Sequence, residues 1–488
     1  MAISFNEVPA NIRVPFVYVE FDASNAVRGP TAFPFALLLI GQRLSSGTIA
    51  ADTPIRVTSA AQAATYFGAG SILAEMAAAS LENSPTTETW CVALDDLGAG
   101  AEASGSIAIT GAATAAGTLS VMIGGQRVQV GSTIGQTAAE AATALAAAIT
   151  ADITLPVTAA AATGTVTLTA RHKGEVGNGI DIRANYFAGE VLPSGLSVAV
   201  TGMSGGTGNP DVADVIAGLG DTHYNIIAHP WTDAANLTTI EAELADRWGP
   251  LRQIEGIAVT SARGTHSELG TLGESRNSPH STILHCSGVP QSPWQIGAAY
   301  AAQLAFNGEI DPARPFQTLA LDGILPPVET DRFTLAENNL LLFDGISTFS
   351  VDSGGVCRIQ RAITTYQTSP NGAADTAYLD VNTPLTLGYL RFDFRNYILR
   401  KYPRHKLASD DVPGRQGQAI ITPQIGKAEA VARFEIWQDL GLVEDIDQFK
   451  EELIVERNAI DPNRLDFYLP PNLINQFRVG AAQIGFVL

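Results

Sequence analysis

Phe35-Ala-Leu-Leu-Leu-Ile40 is an uninterrupted apolar run near the start of the chain. A strand with one wet face alternates apolar and polar residues; a continuous run predicts a strand buried on both faces, as in a parallel sheet covered by helices. The surroundings agree. Ala60–Phe67 and Ser71–Leu81 carry helical signals, the second with Ser71 as N-cap before Ala, Leu and Met. Trp90–Leu94 is a second short buried strand, so residues 35–98 predict βαβ-type material.

Farther along the chain the character changes twice. Between 99 and 204 Ala, Gly and Thr dominate. Gly105–Thr110, Gly117–Ile123, Gln126–Val130 and Thr165–Ala170 read as short strands around one Ala-rich helix, Thr137–Ile149. This predicts a small inserted β-rich domain ending at the linker Thr201-Gly-Met-Ser-Gly-Gly-Thr-Gly-Asn-Pro210. The α/β pattern then resumes: helices at Asp211–Leu219, Leu237–Trp248 (stopped by Gly249-Pro250) and Pro293–Phe306, strands at Tyr224–Ala228, Ile257–Thr260 and Ser281–Cys286. From about 385 charged helices follow at Leu385–Tyr402, Ile425–Leu440 and Asp447–Glu456, before a hydrophobic closing strand, 478–488. The expected organisation is an N-terminal arm (1–29), a core domain in two pieces (30–98 and 205–384), the insert (99–204), a C-terminal domain (385–477) and a C-terminal arm (478–488).

Composition excludes several classes of function. The 488 residues are 46% hydrophobic and only 16% charged, which supplies sizeable cores and a surface suited to being covered by partners. A net charge of −20 disfavours direct nucleic-acid binding. Met1-Ala-Ile-Ser-Phe-Asn-Glu7 lacks the basic start and apolar core of a signal peptide, and no apolar run is long enough to span a bilayer, so no membrane insertion is expected. Cys91, Cys286 and Cys357 form no C-x-x-C pair and are expected to be reduced and buried.

Catalytic and ligand motifs are weak. There is no Lys-bearing phosphate loop; Ser204-Gly-Gly-Thr-Gly208 reads as a hinge. The seven histidines show no zinc spacing, although His280, His285 and Cys286 lie close in sequence. Ser267 beside His266 is adjacency, not a triad, and no G-x-S-x-G elbow occurs. Asp95-Asp96 and Glu451-Glu452 read as solvated pairs. No catalytic residue, cofactor or metal is expected.

Two other features stand out. Arg391, Arg395, Arg400, Lys401, Arg404 and Lys406 lie in a short segment opposed only by Asp393. This is either a solvated helix end whose cations favour the C-terminal dipole, or a docking patch for an acidic partner. The β-rich runs 12–21 and 478–488 lie beyond flexible joints and have no neighbouring hairpin partner. They either tuck into their own domain or complete a neighbour's sheet by strand addition.

Three segments resemble the tail sheath proteins of contractile phages, nearest to the Mu-like group: Asp461-Pro-Asn-Arg-Leu-Asp-Phe-Tyr-Leu-Pro-Pro-Asn-Leu-Ile-Asn-Gln-Phe-Arg-Val479; Gly205-Gly-Thr-Gly-Asn-Pro-Asp211 followed by Tyr224-Asn-Ile-Ile-Ala-His-Pro230; and Ala36–Phe67 with Pro54-Ile-Arg-Val-Thr-Ser59 ahead of Tyr66-Phe-Gly68. The resemblance implies an α/β (mixed α+β) core of subtilisin-like topology without protease activity, a small β-rich insert and extended terminal strand arms. It implies hexameric rings stacked around a tail tube, with the insert outward and the C-terminal region facing the tube. Arms carrying Val14, Phe16, Tyr18, Val479, Ile484 and Phe486 would then pair with neighbouring subunits. Arg391, Arg395, Arg400, Lys401 and Arg404 would be the candidate tube contact. The implied partners are further copies of the chain, the tube protein, the baseplate and the tail terminator, with assembly in the host cytoplasm. Against this stand a different phage structural or surface-lattice protein and an α/β hydrolase.

Overall fold

The computed structural model describes residues 35–411 and 418–487. The opening run becomes β1 (Ala36–Gln42), with Leu37, Leu38, Leu39 and Ile40 all buried. The short edge strand β2 (Ile55–Arg56) follows, then helices α1 (Ala60–Phe67) and α2 (Ile72–Asn83), then β3 (Glu88–Leu94). Ser59 and Ser71 cap the two helices, each accepting from a backbone N–H in the first turn, which satisfies a donor the helix leaves open.

The chain next builds the insert: β4 (Glu102–Gly111), β5 (Gly117–Ile123), β6 (Gln126–Ser132), α3 (Ala138–Ala151), β7 (Val157–Ala162), β8 (Thr165–Lys173), β9 (Ile182–Ala184) and β10 (Leu196–Ser204). One sheet has the order β10-β4-β8-β7 and the other β6-β5-β9; the pairings are antiparallel. Thr137 and Glu140 form a capping box on α3. The segment expected to be a linker from Thr201 instead enters β10 for four residues. Pairing with β4 satisfies that backbone despite its glycine content.

After the insert come α4 (Ala213–Leu219), β11 (Ile226–Ala228), α5 (Ala234–Trp248), β12 (Ile257–Ala262), α6 (His266–Glu274), β13 (Ser281–His285), α7 (Pro293–Ile310), α8 (Leu335–Phe343), β14 (Thr348–Val351) and β15 (Cys357–Arg361). The central sheet has the order β13-β12-β11-β1-β3-β2, parallel except for β2. β1 lies between β3, which precedes the insert, and β11, which follows it, so strands from both sides of the insert share one sheet. Its side chains divide between two cores. Leu37 and Leu39 pack with α2 and α7, while Leu38 and Ile40 pack with α4 and α5.

The last region holds α9 (Asn382–Lys401), β16 (Lys406–Leu407), β17 (Ile420–Ile421), α10 (Pro423–Asp439), β18 (Val443–Glu444), α11 (Ile446–Glu452), β19 (Ile454–Arg457), β20 (Leu465–Tyr468) and β21 (Asn472–Leu473). The helix expected over Asp447–Glu456 ends at Glu452, because Leu453 turns extended and the next residues pair with β20. Phe434, Trp437, Phe449 and Leu390 form the core here.

Glu75 on α2 is buried where the insert meets the central sheet, accepting from Trp294 Nε1 at 2.6 Å. Burial pushes its carboxyl up to about 8 against the lowering effect of that bond. Because the folded value is raised, the stabilisation is complete below the unfolded value of 4.5 and is lost as pH rises toward 8. Glu75→Gln, measured by denaturant unfolding, is expected to match the parent at pH 4 and to exceed it by roughly 3 kcal/mol at pH 7. A gap independent of pH would show that the carboxyl ionises normally in the fold.

Candidate assembly surfaces

Helix α9 carries most of the basic segment. Asn382 holds its start by donating to the Pro312 and Arg314 carbonyls at 2.8 and 2.7 Å. Its inner face buries Leu385, Leu390 and Asp393. Asp393, the one acid expected to oppose the basic run, does not face those cations at all. It forms a buried bidentate pair with Arg433 on α10 and accepts from Trp437 Nε1 at 2.7 Å.

The structure separates the five expected contact cations. Arg391 is committed to an internal joint: its guanidinium pairs with Glu255, donates to the Trp248 carbonyl at 2.6 Å and lies 4.6 Å from the Trp248 ring centroid. Close approach here requires Gly388, since a Cβ would meet Glu255 Oε1 at 2.7 Å. Lys401 pairs with Glu429 at 2.7 Å and is half exposed. Burial would raise the Glu429 carboxyl, but hydrogen bonds from Lys401, Tyr397 and Tyr402 outweigh it and hold it below its ordinary value. That contribution to stability is therefore present above the ordinary value and lost as pH falls through the lowered one. Arg395, Arg400 and Arg404 are exposed and have no ion pair among the described residues. They are the cations a partner can reach.

Of the expected arm residues, Val14, Phe16 and Tyr18 lie outside the described residues. The C-terminal segment leaves the body at a defined anchor. Arg478 is bound to Asp380 at 3.1 Å and donates to Asn382 Oδ1 at 3.0 Å, while the Phe477 carbonyl accepts from Gln317. Beyond it Val479, Ile484 and Phe486 are 83%, 89% and 81% exposed, and residues 474–487 belong to no strand. Leaving large apolar side chains in water forgoes about 1.5–3 kcal/mol each, which covering this tail would recover.

Sequence reasoning missed an exposed hairpin, β19–β20, in which Ile454 pairs with Tyr468 and Ile460 sits at the tip. Among the described residues each strand pairs only with the other, and neither outer edge carries a further strand. The β-branched pair Ile454-Val455 and the turn residues Asn458 to Pro462 were the available signal.

Four of the seven histidines, His172, His229, His280 and His285, are buried. His285 is buried between the Phe333 and Phe349 rings and His280 lies against Trp248; burial takes their imidazoles down to about 3 and about 4. His266 Nε2 lies 3.0 Å from the Glu337 carbonyl rather than from Ser267. Asp95 pairs with Arg43 and Asp96 with His172. Among the described residues no cluster of His, Cys, Asp or Glu could hold a metal ion, and no helix is long and apolar enough to cross a membrane.

The described chain thus combines a parallel α/β core, a β-rich insert of two antiparallel sheets and an exposed apolar tail beyond a pinned anchor. The chain belongs to the phage tail sheath family. The family's β-sandwich domain matches residues 98–197, its central domain 205–365 and its C-terminal domain 373–486. Within the family it falls in the Mu-like group: the Mu-like prophage FluMu tail sheath protein of Haemophilus influenzae is 44% identical over 488 residues, covering 100% of each chain. Among solved structures, the sheath tail protein of Desulfitobacterium hafniense superposes with a TM-score of 0.48 at 13% identity, covering 94% of this chain and 100% of that one. The anti-feeding prophage helical sheath in its contracted state gives 0.46 at 11%, covering 97% and 99%.

Proposed function

We propose that this chain is the polymerising and contracting subunit of the sheath, acting by assembly and without a catalytic site. Copies stack as hexameric rings around the tail tube, with the insert outward and the C-terminal domain inward, and associate with the baseplate and tail terminator. The observation that carries the reading is the C-terminal tail, apolar, exposed and strandless beyond the Arg478 anchor. Its backbone adds to a neighbour's sheet, for which the open edges of β19–β20 are available, and the N-terminal arm 12–21 makes a second such link. Backbone hydrogen bonds then keep the lattice connected while side-chain interfaces are exchanged.

Contraction is a passage from a metastable lattice to a wider one in which subunits move nearly as rigid bodies. The tube must be released at low cost, which suits an exposed, screened electrostatic contact through Arg400 and Arg404. Negative-stain microscopy of the purified chain is expected to show tubes of stacked rings; flat lattices would refute the sheath reading. Arg400→Glu with Arg404→Glu is expected to weaken tube co-sedimentation about tenfold or more, most strongly at low salt, while tubes of sheath still form. Equal loss of both would assign these cations to the sheath lattice instead.

A further inference from the structure

We propose that the seat of the β5–β6 turn on α2 and α7 is a proton-controlled joint: with Glu75 protonated the turn stays docked on the core, and when Glu75 gives its proton to solvent the turn lifts and water enters beneath it. The turn belongs to the insert, whereas α2 and α7 pack on the central sheet. Between them lies a cavity of about 350 Å³, walled by Ala64, Ala74 and Ala78 on the core side and by Gly125, Gln126 and Thr154 on the insert side. The fit is close at the tip of the turn. Gly125 has a φ of +82°, and a Cβ there would meet Gln291 Cγ at 2.7 Å.

Glu75 lies at this seat among neutral partners. Trp294 Nε1 donates to one carboxyl oxygen at 2.6 Å, while Gln126 reaches the other at 3.5 Å, the outer limit of a hydrogen bond. Gln126 is otherwise spent inside the insert, donating to the Thr154 carbonyl at 3.2 Å and accepting from Thr154 Oγ1 at 2.9 Å. The charged groups around the joint do not supply a partner. Arg171 on β8 acts on Glu75 through its charge, but its Nε donates to the Leu155 carbonyl at 2.7 Å, and Asp152 stands near it. Glu82 on α2 and Asp322 on the facing loop line the cavity and oppose a further negative charge. The cavity faces of α1 and α7 carry no charge. His172 on β8 faces the start of α2, with Nε2 3.4 Å from the Ile72 N–H and Nδ1 2.8 Å from Asp96.

A carboxylate ionised in this position has to find water. Burial accordingly pushes Glu75 up to about 8 while the turn is seated. With the turn lifted, solvent returns it toward its ordinary value of 4.5. The seated form therefore holds the proton more tightly. Lifting is favoured as pH rises from 4.5 to about 8 and gains nothing further above that. The change stays local because other contacts tie the insert to the core. Asp96 accepts from the Lys173 N–H at 3.0 Å, and Arg263 pairs with Asp181 at 3.2 Å. One edge of the insert is thus freed by pH without unfolding either part. This holds for the single subunit and does not depend on how subunits assemble.

The test is thiol labelling of the dilute full-length chain carrying Ala74→Cys, with each rate divided by that of a cysteine peptide at the same pH. Ala74 is buried on the cavity wall, and Cys91, Cys286 and Cys357, also buried, report global unfolding. Between roughly pH 6 and pH 8.5 the corrected rate at position 74 is expected to rise about tenfold or more, with the native cysteines unlabelled. Adding Glu75→Gln should hold the rate near its starting value throughout. A rise that survives Glu75→Gln would assign the response to His172 or another group and overturn the proposal, as would a flat profile without it. Labelling of the native cysteines in step would mean that the whole chain unfolds, which equally rules out a local joint. If Ala74→Cys disturbs the fold by circular dichroism, acrylamide quenching of tryptophan emission in the parent relative to Glu75→Gln replaces it. That difference reads the exposure of Trp294, buried beside Glu75; it should grow over the same pH range, and a constant difference would refute the joint.

Discussion

Deletion of Gln483–Leu488 is expected to leave a subunit with the parent's Tm that no longer forms tubes. The residues removed lie beyond Arg478, and among those described Ile484, Phe486 and Val487 are exposed and in no sheet, so the fold of the single chain does not depend on them. In an assembled sheath each would be covered by a neighbour. At about 1.5–3 kcal/mol per large apolar side chain, losing them and their backbone pairing removes on the order of 5 kcal/mol from each intersubunit contact. That is a factor of several thousand in the association constant of every link, enough to abolish a lattice built from many such links. Electron microscopy and sedimentation read the result directly. Long tubes formed by the truncated chain would mean that the tail is not the link.

The second large effect is on stability. Asp393→Ala is expected to destabilise the chain by roughly 3–5 kcal/mol, because it strands a buried guanidinium and removes the partner of the Trp437 indole N–H. Asp393→Leu combined with Arg433→Met should recover part of that loss, since no buried charge is then stranded and only the Trp437 indole N–H is left without its acceptor. Denaturant unfolding of Asp393→Leu, Arg433→Met and the double variant forms a cycle that isolates the pair. An Asp393→Ala variant as stable as the parent would mean that the cluster opens to water. The pair locks α9, which carries the exposed Arg395 and Arg400, to α10.

Much of the core was legible because its signals are local. The run Phe35–Ile40 is apolar throughout since β1 has a covered face on each side, and its strand follows from those residues alone. Ser71 and Thr137 mark helix starts because a short polar side chain there satisfies backbone donors a few residues on. The hairpin β19–β20 was less legible. Ile454–Arg457 follows a charged helix without a Gly or Pro break, and only pairing with Leu465–Tyr468 makes it a strand. Propensity over so short a stretch does not decide between the two.

The candidate surfaces divide in the same way. By itself the sequence determined that six cations crowd residues 391–406, that the chain ends in an apolar run, and, through the motifs at 205–230 and 461–479, which family it joins. It could not tell Arg391 from Arg395, one helical turn apart and chemically identical. The tertiary structure decided that Arg391 is captured by Glu255 and Trp248 while Arg395 faces solvent at the edge of a groove. The physical reason is that periodicity sets which way a side chain points along its own helix. Whether a charge is spent or free depends on what distant parts of the chain bring against it.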